Sequence, residues 1–203
     1  MTNVAPPVGR PFRAAVPFRA ATTLRAAIIG AVVTAAVSTL GDYLWKNVLP
    51  HGLPFYWFAH AIILFSTVGV CLGLPSNRPL AGALGAVAIG CLATAGFYFL
   101  QPLMGYAAMF PLFFALWFGL GLLSGRVLQP RDSISATILR SLIAAVGSGL
   151  GFYAISGIWM PFNPQGLDYV KHFVYWTIAY LPGFTALLMR RGGAQSSASH
   201  SVA

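Results

Sequence analysis

Six polar residues stand within or beside long apolar segments, and their side chains can carry charge or bind a ligand. We predict that they form the polar part of a ligand-binding site: Asp42, His60, Gln101, Asp168, Lys171 and His172. Each has a structural alternative. Asp42 can pair with Lys46 at i+4 on one helix face. A neutral His60 can be satisfied by a backbone carbonyl or a hydroxyl group, or it can contact a ligand, a metal ion or a proton path.

The last three of these residues fall within one turn of the chain. Asp168 complements a helix dipole when it lies near the N-terminus of a helix, and it can pair with Lys171 or His172 at i+3 and i+4. A structural ion pair therefore competes here with a ligand contact.

Sequence motifs of known catalytic sites are missing. The chain contains no HExxH, no GxSxG, no clustered carboxylates and no glycine-rich phosphate loop. We therefore predict that the protein is not an enzyme, with no catalytic residue, no metal and no cofactor. An alternative is a membrane-embedded enzyme that uses His60 as acid or base, with Asp42 as its partner.

The composition identifies the solvent around the fold. Of 203 residues, 58% are hydrophobic and 7% are charged, against about 25% charged residues in a soluble domain. Such a chain cannot cover a water-facing surface, so it is predicted to lie in a membrane. The net charge of +9 comes from arginines between apolar runs rather than from a basic patch, which excludes nucleic acid as the expected partner.

Six apolar segments predict an all-α, polytopic membrane protein with six transmembrane helices in three consecutive helical hairpins. Each is close to the ~20 residues that span ~30 Å of hydrocarbon. The predicted helices are Arg25–Trp45, Pro54–Leu74, Leu80–Leu100, Gly105–Leu123, Ala136–Trp159 and Tyr169–Met189. Residues 1–24 are predicted to be a basic, disordered cytoplasmic tail, residues 25–191 the transmembrane domain, and residues 192–203 a flexible C-terminal tail.

Basic residues predict the orientation. Six crossings place ten arginines on the side of both termini and only Lys46 and Lys171 on the other side. By the positive-inside rule, both termini are cytoplasmic. The composition, rich in alanine and arginine and poor in lysine, favours a bacterial inner membrane.

A repeat of 55 residues is consistent with the three hairpins. Gly41-Asp42-Tyr43, Gly96-Phe97-Tyr98 and Gly151-Phe152-Tyr153 are evenly spaced near the ends of the odd-numbered helices. Small residues favour close helix packing in a bilayer. We therefore expect the small-residue odd helices to be central and the bulkier even helices to face lipid, with these side chains exposed: Phe110, Phe113, Phe114, Trp117, Phe173 and Trp176.

The hairpin before the last helix resembles a known family. Asn163-Pro164 followed by Tyr169-Val170-Lys171-His172-Phe173 is similar to the entry of the last helix in the insulin-induced-gene (INSIG) type of six-helix membrane protein, which also has this chain length and helix count. The sequence departs from that family at Phe97–Gln101, which lacks acidic, asparagine and histidine residues. The resemblance implies a sterol or diacylglycerol bound in a central cavity, and no catalysis.

The polar candidates all map to the outer half of the predicted bundle. A pocket there would be apolar and aromatic with a few polar groups at its mouth, which suits a lipid-like ligand from the outer leaflet. The alternative is a small transporter or permease subunit. The predicted partners are membrane lipids, with a second copy of the chain or another membrane protein as a further partner.

Overall fold

The computed structural model describes residues 16–49, 56–129, 132–155 and 164–189. These residues form helices and contain no β-strand, which confirms the all-α prediction. Short 3₁₀ segments follow α2 and α3, and one π-helical turn follows α4. The helices are α1 Val16–Asn47, α2 Tyr56–Gly73, α3 Pro79–Met104, α4 Met109–Leu123, α5 Ile134–Ile155 and α6 Asp168–Leu188.

Five helical stretches are long and apolar enough to cross a membrane. They are Thr23–Asn47, Phe58–Ser76, Pro79–Met104, Met109–Leu128 and Ile134–Ile155. Helix α6 has 21 residues, but Lys171, His172 and its tyrosines make it less apolar than the others. The protein is therefore a membrane-embedded helical protein, and the sixth crossing is discussed below as a proposal.

Helix α1 begins earlier than predicted. It includes residues 16–24, which the sequence assigned to a disordered tail. That assignment was wrong because Pro17 lies in the first helical turn, where the missing backbone N–H has no intrahelical partner to lose. Residues 1–15 and the predicted C-terminal tail, 192–203, lie outside the described residues.

The six helices form a closed ring in chain order. Each helix packs against its neighbours in sequence, and α6 closes the ring against α1. The most extensive interfaces are α2 with α3 and α1 with α6, whereas α1 with α2 and α3 with α4 are lighter. Two of the three predicted hairpins thus meet their next neighbour more closely than they pair internally, although α5 and α6 do pack extensively.

The expected division into central odd helices and exposed even helices was wrong for α3 and α4. Of the apolar stretch of each helix, 11% is buried in α3 and 50% in α4. Phe113 stacks on Phe152 of α5, with ring centroids 4.7 Å apart, and Trp117 packs edge-on against Phe184 of α6. Large rings fill the space between helices, whereas the narrow glycine face of α3 leaves its leucines outside.

The repeated glycines occupy similar places in the ring. Gly41 lies against His60 of α2, Gly96 against Leu112 of α4, and Gly151 against Ala179 of α6. At the opposite end of the bundle, the Arg78 guanidinium donates a hydrogen bond of 2.7 Å to the Val127 carbonyl. The loops that carry Arg78 and Arg126 therefore lie at one end, as the charge pattern predicted.

Candidate functional site

Asp42 and His172 meet where α1 packs against α6. The two helices run antiparallel, so the end of α1 lies beside the beginning of α6. His172 Nδ1 lies 3.3 Å from Asp42 Oδ2, and Trp176 Nε1 donates to the same oxygen over 3.3 Å. The His172 side chain is 6% exposed and that of Asp42 is 25% exposed. This places an acid and a base together in a largely dry site, one turn below the end of α1.

His60 lies on the other side of the same segment of α1. A Cβ atom added to Gly41 would lie 2.0 Å from His60 Cε1, so the imidazole occupies the space that glycine leaves. Tyr56 donates a hydrogen bond to the Gly41 carbonyl, its ring lies parallel to that of His60, and Trp45 stacks on it. Two histidines thus flank the Gly41–Asp42 peptide, but the partner of the Asp42 carboxylate is His172 rather than the predicted His60.

Asp168 and Lys171 form a separate ion pair at the exposed end of α6. Lys171 Nζ lies 2.9 Å from Asp168 Oδ1, and the Gln165 amide donates to Asp168 over 3.4 Å. The hydrogen bond from the Lys171 ammonium holds the pKa of Asp168 below its ordinary value. This is the structural alternative that the sequence left open, and the pair forms a polar rim above the Asp42–His172 contact.

Gln101 stands apart from the other five predicted residues. It is exposed near the end of α3, beside Pro102, and its backbone carbonyl accepts a hydrogen bond from the amide of Gly105. Helix α3 packs mainly against α2 and α4. The structure therefore brings together Asp42, His60 and His172, adds Asp168 and Lys171 as a rim, and leaves Gln101 outside.

The sequence missed residues that continue the site toward the middle of the bundle. Trp176, predicted to face lipid, bonds Asp42 and stacks on Tyr180 with ring centroids 5.4 Å apart. The buried Tyr180 and Ser38 hydroxyl groups share a hydrogen bond of 2.7 Å. His172, Trp176 and Tyr180 are spaced four residues apart on α6, as are Ser38 and Asp42 on α1. That spacing was visible in the sequence, but the pairing of α1 with α6 was not.

An apolar groove of about 410 Å³ runs along the same interface. Its walls include Ala36, Leu40 and Tyr43 from α1 and Tyr169, Val170 and Phe173 from α6. Tyr43 and Tyr169 meet edge to face at its outer end, with ring centroids 5.2 Å apart. There, the Asn47 amide donates to the Tyr169 hydroxyl over 2.5 Å. The groove thus has aromatic and aliphatic walls and a polar end.

No cluster of three or more metal-ligating side chains occurs within the part of the chain that the structure describes. Asn163, one of the residues that carry the family resemblance, lies outside that part. Comparison with protein-family models, curated proteins and solved structures finds no match.

Proposed function

We propose that this protein binds a lipid-like amphiphile in the groove between α1 and α6, and that it has no catalytic role. The groove is the observation that carries the proposal. Its walls are almost wholly apolar, while Asn47, Asp168 and Lys171 provide hydrogen-bonding and charged groups close to its outer end. An acyl chain fits such walls, and a polar headgroup fits such a rim.

The proposal includes a sixth membrane crossing by α6. At ~1.5 Å per residue, its 21 residues extend about 31 Å, close to the hydrocarbon thickness of a bilayer. Its polar residues lower its hydropathy, but His172 and Tyr180 point into the bundle. A helix shielded by α1 and α5 can carry such residues across a membrane.

The proposed orientation places both termini in the cytoplasm of a bacterium and the groove in the outer leaflet of the inner membrane. Its support is the charge at the two ends of the ring. Arg78, Arg126 and Arg140 lie at one end, and Lys46 and Lys171 at the other. Arginine-rich loops favour the cytoplasmic side.

Native mass spectrometry with identification of the bound lipid tests this function. Ala36→Trp places an indole in the groove, and Ala88→Trp makes the same change at an exposed alanine of α3. We expect a stoichiometric lipid on the parent protein and on Ala88→Trp, and its loss from Ala36→Trp. The family resemblance makes a sterol and a diacylglycerol the first ligands to add. Equal lipid retention in the two variants would refute binding in the groove.

A small transporter or permease subunit is the second candidate. It is favoured by the ionisable Asp42–His172 pair, which lies inside the ring with the Ser38–Tyr180 pair deeper along the same interface. Ionisable residues on such a line are typical of proton-coupled paths. Uptake by reconstituted vesicles that follows an imposed pH gradient and is lost in Asp42→Asn would support this function. Uptake unaffected by the gradient would exclude proton coupling.

A further inference from the structure

Three buried polar groups in the middle of the bundle find no hydrogen-bond partner within the described residues. They are Thr34 Oγ1 on α1, Trp117 Nε1 on α4 and Ser148 Oγ on α5. All three side chains are fully buried. A buried polar group without a partner costs about 1–3 kcal/mol, and lipid offers no substitute. Three such groups from three helices indicate an occupant that bonds to them.

The contacts of the helices place these groups at one level. Ser38 bonds Tyr180, and Gly30 lies against Phe184, so Thr34 is level with the segment between Tyr180 and Phe184. A Cβ atom added to Gly183 would lie 2.6 Å from Ser148 Oγ and 2.3 Å from ring carbons of Trp117. The three side chains therefore surround Gly183 of α6.

Helix α6 supplies a further polar group beside this level. Pro182 has no backbone N–H, so the carbonyl of Ile178 loses its usual helical donor. On α5, a Cβ atom added to Gly151 would lie 3.5 Å from that carbonyl oxygen. Proline and glycine that interrupt a membrane helix are typical of sites near the bilayer midplane.

We propose that Thr34, Ser148 and Trp117 form an internal binding site for water at the Pro182–Gly183 break of α6. Two hydroxyl groups and an indole N–H supply the roughly three hydrogen bonds that a buried water usually makes. The surrounding rings leave space for a molecule of that size and carry no charge for an ion. This water extends the line that begins at Asp42 and His172 and continues through Tyr180 and Ser38. The site is independent of the lipid groove, which lies on the opposite side of the α1–α6 contact.

A double-mutant cycle on thermal unfolding in mild detergent tests the site. Thr34→Val and Ser148→Ala each remove a hydroxyl group with little change in shape. If a water bridges the two groups, each single substitution lowers the unfolding midpoint by about 2–4 °C. The double variant then loses less than the sum, because either substitution alone already releases the water. Midpoints that rise or stay unchanged, or losses that simply add, would overturn the proposal.

Two controls keep packing apart from hydrogen bonding. Thr34→Ser retains the hydroxyl group and is expected to keep most of the parent midpoint. A loss as large as that of Thr34→Val would assign the effect to packing and overturn the water site. Thr177→Val removes a hydroxyl group that bonds the Phe173 carbonyl within α6, and it is expected to show no coupling to Ser148→Ala.

Discussion

The α2–α3 and α1–α6 interfaces are both extensive and antiparallel, but they are built from different groups. Where α2 meets α3, backbone touches backbone, since a Cβ atom on Gly69 would lie 2.1 Å from the Gly82 carbonyl oxygen. Where α1 meets α6, side chains bond across the interface through Ser38–Tyr180 and Asp42–His172. One interface can hold the ring together by shape alone, and the other carries groups able to bind or titrate.

The largest effect is expected from filling the backbone contact. Gly69→Ala directs a methyl group into the Gly82 carbonyl, which only a shift of the helices can relieve. We expect a loss of about 3 kcal/mol in the free energy of unfolding, measured in detergent. Gly149→Ala is the matched control, because a Cβ atom there meets nothing within 4 Å. Equal stability of the two variants would mean that α2 and α3 are not in backbone contact.

The next largest effect is expected at the acid–base pair. Asp42→Ala leaves the buried His172 and the Trp176 N–H without their acceptor, at a cost of about 2 kcal/mol in unfolding free energy. Asp168→Ala removes an exposed carboxylate from the rim and is expected to change stability little, because water and salt screen such pairs. A larger loss in Asp168→Ala would reverse the assigned roles of core and rim.

A smaller effect is expected at the deeper hydroxyl pair. Ser38→Ala and Tyr180→Phe each leave one buried hydroxyl group unpaired, at a cost of about 1 kcal/mol each. The double variant removes both groups and is expected to be more stable than the sum of the singles predicts. Unfolding midpoints of the four proteins measure this coupling, and strict additivity would argue against a bond between the two residues.

Helix number and the grouping of charges at the two ends followed from the sequence, because apolar length and arginine position are local properties. The partner of Asp42 did not, since nothing local indicates that the first helix closes the ring against the last. The same gap explains Trp176 and Trp117, which were expected to face lipid. An aromatic side chain in an apolar helix suits lipid and protein equally well, and only the arrangement of neighbouring helices decides between them.

The 55-residue spacing was more informative than the composition of the helices. Gly41, Gly96 and Gly151 each lie against the following helix, so the repeat has a structural counterpart. The polar candidates were identified as residue types, but their division into an inner pair, a rim and an isolated Gln101 depended on the helix pairing. Hydroxyl groups such as those of Thr34 and Ser148 were passed over because serine and threonine are common in membrane helices.

Photo-crosslinking in the native membrane tests most directly whether the α1–α6 interface is the lipid-binding one. A photoreactive amino acid would be placed at Val170, on the wall of the groove, and in a second protein at Leu92, on the exposed face of α3. The account predicts one dominant lipid adduct at Val170 and a mixture that follows the bulk membrane composition at Leu92. The same bulk mixture at both positions would contradict it.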